Sequence, residues 1–496
     1  MPISRSNQIL KALVTRLIKK LQSQYQQEFC TNLPIILVTG TLGKSSMTLI
    51  LNQYFESLGY KVYSGTSLNR NLNSLAGLGM ILSDTDFNLE GSKVLAKAVA
   101  LAKLSTNLIK KIALKNFGLP EKTILIYELG YDHQNESQIF QDIFDRVDVL
   151  VCTNLGWEHN EGFEKEFNKQ RLEDYLDAIP LDLLEKFSGS EIDSRLKNIA
   201  FEQLTLSNKA DYVVAPIEIG KITNQIACQN NQTQSEETLQ TIAKRGHNFE
   251  LISDNLSFNP NYFLPDTFAK NSLILEQVTK KLNVYDPEKI NQILHSVKLP
   301  FSRFGKFKGV QNSTIIDSTY NSDPNSLKEF LHNIELVINF YKDAENREKA
   351  DLVEQPKHFV IIGEMRELGD TAPQLHEEIL KNLADLKKNN QHLIEEIILI
   401  GSEWKKLNQN STKAYENCHQ IIKNQSQSWK VFEKAGDINR YLEDKIRPNS
   451  WFWIKGSQNT IFLEIVVEHL LKEKADSAKL CRRGPAWDKL RKPYLE

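Results

Sequence analysis

The sequence is poor in the features that mark metal knuckles, disulfide scaffolds and membrane proteins. Its 5 cysteines (Cys30, Cys152, Cys228, Cys418 and Cys481) are scattered, odd in number and form no C-x-x-C pair. That argues against a zinc knuckle or a disulfide framework and suits a reducing, cytoplasmic setting. No run approaches the ~18 apolar residues that span a bilayer, so no integral membrane segment is expected. Neither sign of charge is in excess: 61 Lys+Arg against 63 Asp+Glu leave a net charge of −2. A nucleic-acid binder would usually be basic, so none is expected here. Short-period repeats are absent as well. What remains is ordinary globular composition, 41% hydrophobic and 25% charged, in 496 residues, enough for two or three domains.

The first stretch, Met1 to Lys20, alternates basic and apolar residues at helical spacing. It has no continuous apolar core and no small-residue cleavage site, which makes it a poor signal peptide. An amphipathic helix over residues 1–33, packed on the next domain, is the expectation; a helix lying on a membrane surface is the alternative. Pro34–Val38 (P-I-I-L-V) then reads as a short buried strand, too short and β-branched for a helix. An amphipathic helix follows the next loop, with Met47, Ile50, Leu51, Tyr54, Phe55 and Leu58 on one face and Gly59 as its stop. Thr123–Tyr127 and Val147–Cys152 resemble further strands of a parallel sheet, and residues 92–116 are helical in character. Cys228–Thr238 is polar and of low complexity, a surface loop or insertion. From Leu299–Phe301 onward a second series of strands is expected at Thr314–Asp317, His358–Ile362, Ile397–Ile400, Trp429–Phe432 and Trp451–Ile454, with helices between and a charged loop or helix end at Lys342–Lys357. The fold class is therefore α/β: a central P-loop domain with a mostly parallel sheet over 34–300, and a C-terminal Rossmann-like α/β domain over 301–496.

Chemistry concentrates first in Thr39–Ser46 (T-G-T-L-G-K-S-S). A loop between strand and helix aims backbone N–H groups and the helix N-terminus at an anion. Gly40, Thr41 and Gly43 let the backbone approach a phosphate. Lys44 reaches the outer phosphates, and the Ser45 or Ser46 hydroxyl can ligate Mg²⁺. The generic Walker pattern is imperfect, because Val38 stands where its first glycine belongs. A Gly/Thr turn beside a surface lysine is the plainer reading, but the strand before and the helix after favour nucleotide binding. Ligands of open α/β sheets lie beyond the carboxyl ends of strands, which adds Glu128, Asn154 and His159 as candidates. A carboxylate and an imidazole there can hold a divalent ion against phosphates, although a lone His is more often a surface or packing residue.

The order of these motifs resembles the Mur ligases, ATP-dependent amide-bond ligases whose phosphate loop reads T-G-T-x-G-K-S/T-S/T. The resemblance continues at Y-E-L-G (Tyr127–Gly130) and T-N-L-G-W-E-H-N-E-G-F (Thr153–Phe163), implying that Glu128 and His159 are Mg²⁺ ligands beside Ser45. Arg303 matches a nucleotide-contacting Arg, and Asp317 with S-T-Y-N-S-D-P-N-S (Ser318–Ser326) is similar to the branch that adds D-alanyl-D-alanine. So are G-E-M-R-E-L-G (Gly363–Gly369) followed by His376, and Lys455-Gly456-Ser457. The resemblance implies ATP and Mg²⁺ as cofactors and a site between the last two domains. It implies a small-molecule carboxylate activated as an acyl phosphate and joined to an amine, with Lys44, Glu128 and His159 as the catalytic set.

The departures shape what is expected of the substrate. Only 33 residues precede the first strand, too few for the family's N-terminal UDP-binding domain. The family's carbamoylated Lys corresponds to Gln203, which cannot form a carbamate. The G-x-H-N before the domain junction appears as Asp266–Ala269, leaving Asn271 to serve the adenine; Ser302 replaces a Gly, and Glu364 an Asp. Asn71 and Asn73, in the Asn-rich segment Ser64–Gly77, are candidate carboxylate contacts, or simply turn formers. Tyr320, Asn321, Ser326 and Lys455 are candidates for the amine side. The basic, aromatic C-terminal segment Cys481–Leu495 reads as a tail packed through Trp487 and Tyr494, with contact to an anionic surface as the alternative. Three functions stay open. The first is an amide ligase acting on a non-standard carboxylate. The second is a D-alanyl-D-alanine-adding ligase whose UDP-binding domain is lost or supplied by a partner. The third is a non-catalytic ATP-binding scaffold, which Gln203 favours.

Overall fold

Short apolar runs separated by helices pair side by side in both halves of the chain. The computed structural model describes residues 15–21, 23, 33–41, 43–67, 75–82, 103–110, 112, 122–131, 136–153, 202–203, 206, 209–214, 265–345, 356–408, 420–423, 429–456 and 461–495. It divides into two compact units, the first ending at Pro300 and the second containing Phe301–Glu496. Cys228–Thr238, Asn71, Asn73, Asn154, His159 and Ser457 lie outside the described residues. Among the described residues no helix is long and apolar enough to cross a membrane.

In the first unit, β1 (Ile35–Thr39), β2 (Lys61–Tyr63), β3 (Thr123–Glu128), β4 (Val149–Cys152) and β5 (Val213–Val214) form a parallel sheet in the order β2-β3-β1-β4-β5. Every residue of β1, β3 and β4 is buried, as expected of parallel strands covered on both faces. The helices here are α1 (Lys44–Ser57), α2 (Leu75–Leu82), α3 (Glu136–Ile143), α4 (Pro265–Lys281) and α5 (Pro287–Ser296). The expected apolar face of α1 is buried from Met47 to Phe55, and Gly59 ends the turn after it at φ 81°. Thr48 and Asn52, on its other side, are buried too. Segments flanking α5 bond to the same helix: Tyr54 donates to the Val284 carbonyl at 2.6 Å and Gln53 to that of Lys298 at 3.4 Å. Residues 15–21 are helical, and Ile18 and Leu21 are fully buried in a core with Leu78, Leu104 and Leu125.

The second sheet is mixed. Its strands β6 (Gly305–Lys308), β7 (Thr314–Ser318), β8 (His358–Gly363), β9 (Ile394–Ile400), β10 (Trp429–Phe432) and β11 (Trp451–Lys455) take the order β10-β9-β8-β11-β7-β6. All neighbours are parallel except β6, which runs antiparallel along β7. This edge strand (G-K-F-K) places half-buried Lys306 and exposed Lys308 where bare backbone would otherwise invite pairing. Its helices are α6 (Pro324–Glu345), α7 (Ala372–Asn389), α8 (Ser402–Asn408), α9 (Ala435–Leu442), α10 (Glu464–Leu470) and α11 (Pro485–Arg491). Lys342 falls in the last turn of α6, the helix end expected there. Trp487 and Tyr494 pack on the core of this sheet, Tyr494 at 4.9 Å from the ring of Phe462. That is the packed tail read from the sequence.

Candidate functional site

The chain leaves β1 at Thr39 and turns into α1 through Gly40 at φ 123° and Gly43 at φ 79°. Gly43 stands at the N-cap of α1 in the left-handed region, where a side chain would be strained. A Cβ there would lie 3.9 Å from that of Thr153. Gly43 offers α1 no side-chain cap, and the first turn of the helix carries no acidic residue. The partial positive charge of the helix start favours an anion in the loop. Lys44 is buried and curls back, its Nζ donating to the carbonyls of Gly40 at 2.6 Å and Thr41 at 3.2 Å.

Beside this loop sits Glu128. The parallel register sets it against Val38, at the carboxyl end of β3. Its carboxylate is 2% exposed and grips two hydroxyls: Oε1 accepts from Ser45 Oγ at 3.1 Å and Oε2 from Thr66 Oγ1 at 3.1 Å. Thr66, just after β2, is a residue that sequence reasoning missed. Asn52 of α1 holds its position by donating to Ser64 Oγ at 3.0 Å and to the Thr66 carbonyl at 3.3 Å. The only sequence signal was a polar T-S pair following a short strand. Beyond β4, Thr153 donates to the Thr39 carbonyl through its N–H at 2.9 Å and its hydroxyl at 3.2 Å. The two strand ends are thereby tied around the loop.

Gln203 also reaches the loop. It is 4% exposed, and its Nε2 donates to Thr41 Oγ1 at 3.3 Å, while its Oε1 has no partner among the described residues. Asn271, on α4, is likewise buried, and its Nδ2 finds no partner among the described residues. Among those residues no three His, Cys, Asp or Glu side chains group as metal ligands.

The remaining candidates lie in the second unit. Asp317 is the last but one residue of β7, next to β11 and opposite Ile454, with Ser318 opposite Lys455. Asp317 is fully buried and its Oδ1 accepts from the Thr319 N–H at 3.0 Å and hydroxyl at 2.7 Å. Burial still raises its pKa above the usual carboxylate value. Arg303 stacks on Tyr320, guanidinium carbon 4.4 Å from the ring centroid. Lys455, 3% exposed, donates its Nζ to the Asn321 carbonyl. Burial brings that amine down to about 8, with Arg303 pushing the same way and Asp323 opposing. Gly456 follows because a Cβ there would sit 2.6 Å from the Thr319 carbonyl oxygen. Arg303, Tyr320, Asn321, Asp317 and Lys455 are thus brought together. Ser326 is engaged otherwise: Asp323 Oδ1 accepts from the Asn325 and Ser326 N–H groups, both at 3.0 Å, and Ser326 Oγ accepts from the Asp323 N–H at 3.1 Å. This is a reciprocal cap on α6.

The G-E-M-R-E-L-G segment is built structurally. Glu364 Oε2 accepts from Glu403 N at 2.7 Å and Ser402 Oγ at 3.2 Å, capping α8. His376 is fully buried; Nδ1–H donates to the Ala372 carbonyl at 2.7 Å, and Nε2 accepts from Met365 N at 3.1 Å. Both nitrogens are satisfied only in the neutral ring, and burial brings its pKa down to about 4.

No family model matches the chain. Over 348 residues it is 25% identical to a UDP-N-acetylmuramoyl-tripeptide–D-alanyl-D-alanine ligase of Rickettsia prowazekii (strain Madrid E). That match covers 69% of this chain and 65% of the relative's length. Among solved structures, MurF from Acinetobacter baumannii superposes with a TM-score of 0.54 at 16% identity, over 94% of this chain and 80% of that one. The MurF ligase from Thermotoga maritima in complex with ADP gives 0.53 at 14% identity, over 93% and 83%. The resemblance to the Mur ligases read from the motifs therefore holds in sequence, and the chain has their fold.

Proposed function

We propose that the chain is an ATP-dependent ligase that joins a carboxylate to an amine and releases ADP and phosphate. The observation that carries this reading is the Ser45–Glu128–Thr66 arrangement beside a glycine-turned loop and a helix start with Gly43 at its N-cap. In this reading residues 34–300 are a P-loop ATP-binding domain and 301–496 a Rossmann-like ligase domain, and the MurF fold supports both. Gly40, Thr41, Gly43, Lys44, Ser45 and Ser46 cradle the phosphates, Lys44 exchanging its two loop carbonyls for phosphate oxygens. Asn271, Arg303 and Asp317 serve the nucleotide. Tyr320, Asn321 and Lys455 face the amine substrate, and Asn71 and Asn73 the carboxylate. Ser326 positions that loop through its cap.

The reaction has two displacements. A carboxylate oxygen attacks the γ-phosphorus, the bond to the β–γ bridging oxygen breaks, and ADP leaves. The amine nitrogen then attacks the acyl phosphate carbonyl, loses a proton and expels phosphate. Carboxylate and triphosphate repel each other, so Lys44 and the loop N–H groups must neutralise charge as it moves. The Glu128 carboxylate and Ser45 hydroxyl are hard oxygen donors that suit Mg²⁺, with His159 the further candidate; a bound Mg²⁺ would neutralise phosphate charge there.

The relative's name specifies D-alanyl-D-alanine, which makes that dipeptide the first amine to test. The scaffold reading rests on Gln203. A reaction fed by ATP suits the cytoplasm, as does the buried thiol of Cys481. The test is ADP release by the full chain with MgATP and paired carboxylates and amines, including UDP-muramoyl-tripeptide with D-alanyl-D-alanine and UDP-free peptides. Turnover that requires both partners is expected. ATP binding without turnover on any pair would favour the scaffold.

A further inference from the structure

The tail that the sequence offered only as packing carries Arg482 into the heart of the second unit. Its side chain is 5% exposed. One terminal nitrogen donates to the Thr319 carbonyl at 3.2 Å, to Glu464 Oε2 at 3.3 Å and to Cys481 Sγ at 2.9 Å; the other donates to the Tyr320 carbonyl at 2.6 Å. Its guanidinium carbon lies 5.8 Å from the Tyr320 ring centroid, the ring that Arg303 stacks on at 4.4 Å. The backbone is shaped for this contact: Arg482 has φ 55°, the left-handed region that a non-glycine residue occupies only under constraint. Cys481 N–H donates to Ser302 Oγ at 2.9 Å, and its Sγ lies 3.8 Å from Thr319 Oγ1. The tail is thus stitched to the loop that follows β7 and to Ser302, which precedes β6.

We propose that Arg482 is a positioning residue for the Thr319–Tyr320 turn, and through it for the Arg303–Tyr320 stack and the Asn321 carbonyl that Lys455 grips. The planar guanidinium suits the task, since its fork bridges two successive carbonyls while Glu464 balances its charge. A lysine ammonium has the charge but not the fork. The effect on substrate rests on the ligase reading above; the effect on the loop does not.

The experiment uses the full chain with Arg482→Lys, and with the double variant Arg482→Met/Glu464→Gln, which removes both charges of the Arg482–Glu464 pair together. Amide hydrogen exchange is followed in peptides covering 318–326 and, as an internal reference, 358–363. With saturating MgATP and UDP-muramoyl-tripeptide, KM and kcat are measured for D-alanyl-D-alanine. Exchange in 318–326 should quicken at least tenfold while 358–363 is unchanged. KM for the dipeptide should rise at least tenfold, with kcat changing less. Unchanged exchange in 318–326, or equal acceleration in both segments, would overturn the proposal, as would an unchanged KM in a variant with a loosened loop. A wild-type chain that turns over no substrate pair would overturn the ligase reading instead, and the exchange result would still decide the loop.

Discussion

Ser45 and Glu128 stand 83 positions apart in the chain and meet at 3.1 Å, hydroxyl to carboxylate, both buried. One lies in the first turn of α1 and the other closes β3, so the contact exists because β1 and β3 run parallel in register. It fixes the carboxylate beside the loop before any ligand arrives, and Thr66 holds its other oxygen.

Lys44→Ala removes the lysine turned into the loop, and ADP release should fall by roughly 10²–10³-fold or more. The melting curve and circular dichroism should be preserved, since Lys44 Nζ bonds carbonyls of its own loop. Unchanged turnover would remove Lys44 from the phosphate site.

Glu128→Gln keeps the size of the side chain but not its charge. The Mg²⁺ concentration for half-maximal turnover should rise by about 10–100-fold, and Thr66→Val should give a smaller shift in the same direction. A magnesium titration of ADP release checks both.

Gln203→Lys puts an amine where the neutral amide touches Thr41. If this is the position of the family's carbamate, added bicarbonate should raise Mg²⁺ affinity or turnover of the variant and leave the wild type unchanged. A variant insensitive to bicarbonate would show that the position was wrongly matched.

Lys455 titrates at about 8 in the folded chain. An anionic group bound by its ammonium should therefore be lost as pH rises through 8. KM for the amine substrate, measured from pH 6.5 to 9.5, should climb above that point. Lys455→Arg should carry the climb out of range.

His358 and His376 are fully buried, and burial brings their pKa values down to about 3 and about 4. In the folded chain both stay neutral where the unfolded chain takes up protons. Their contribution is fully present above pH 6.5 and is lost as pH falls, toward 4 for His376 and 3 for His358. For His376 the loss is on the order of 3 kcal/mol. Urea unfolding at pH 7 and pH 4.5 should therefore differ less in His376→Gln than in the wild type. Equal differences would mean that His376 is not the group responsible.

Much of the first site was legible because its residues are close in sequence. Strand, glycine turn, lysine and helix fall within Ile35–Ser57, and their chemistry needs little more than their order. Glu128 could be placed from the rule about strand ends alone. Thr66 could not, because its value depends on Asn52 holding a turn after a strand only three residues long, too short to show a period. Likewise β6 is brief and polar, and its pairing with β7 is decided by what lies beside it.

His376 and Glu364 show the opposite case. Their motif was readable, yet their side chains cap α8 and fix the Met365 backbone. Nothing in residue type distinguishes a ligand from such a brace.

The sequence by itself determined the α/β alternation, the glycine-turned loop between β1 and α1 and the packed tail, since each rests on local pattern and composition. Only the tertiary structure decided that Glu128 is shared by Ser45 and Thr66, that Gln203 touches Thr41, and that Arg482 clamps Thr319 and Tyr320. Those contacts join residues tens to more than a hundred positions apart. Chain entropy keeps such groups apart until the sheets and their helices bury enough apolar surface to hold them together.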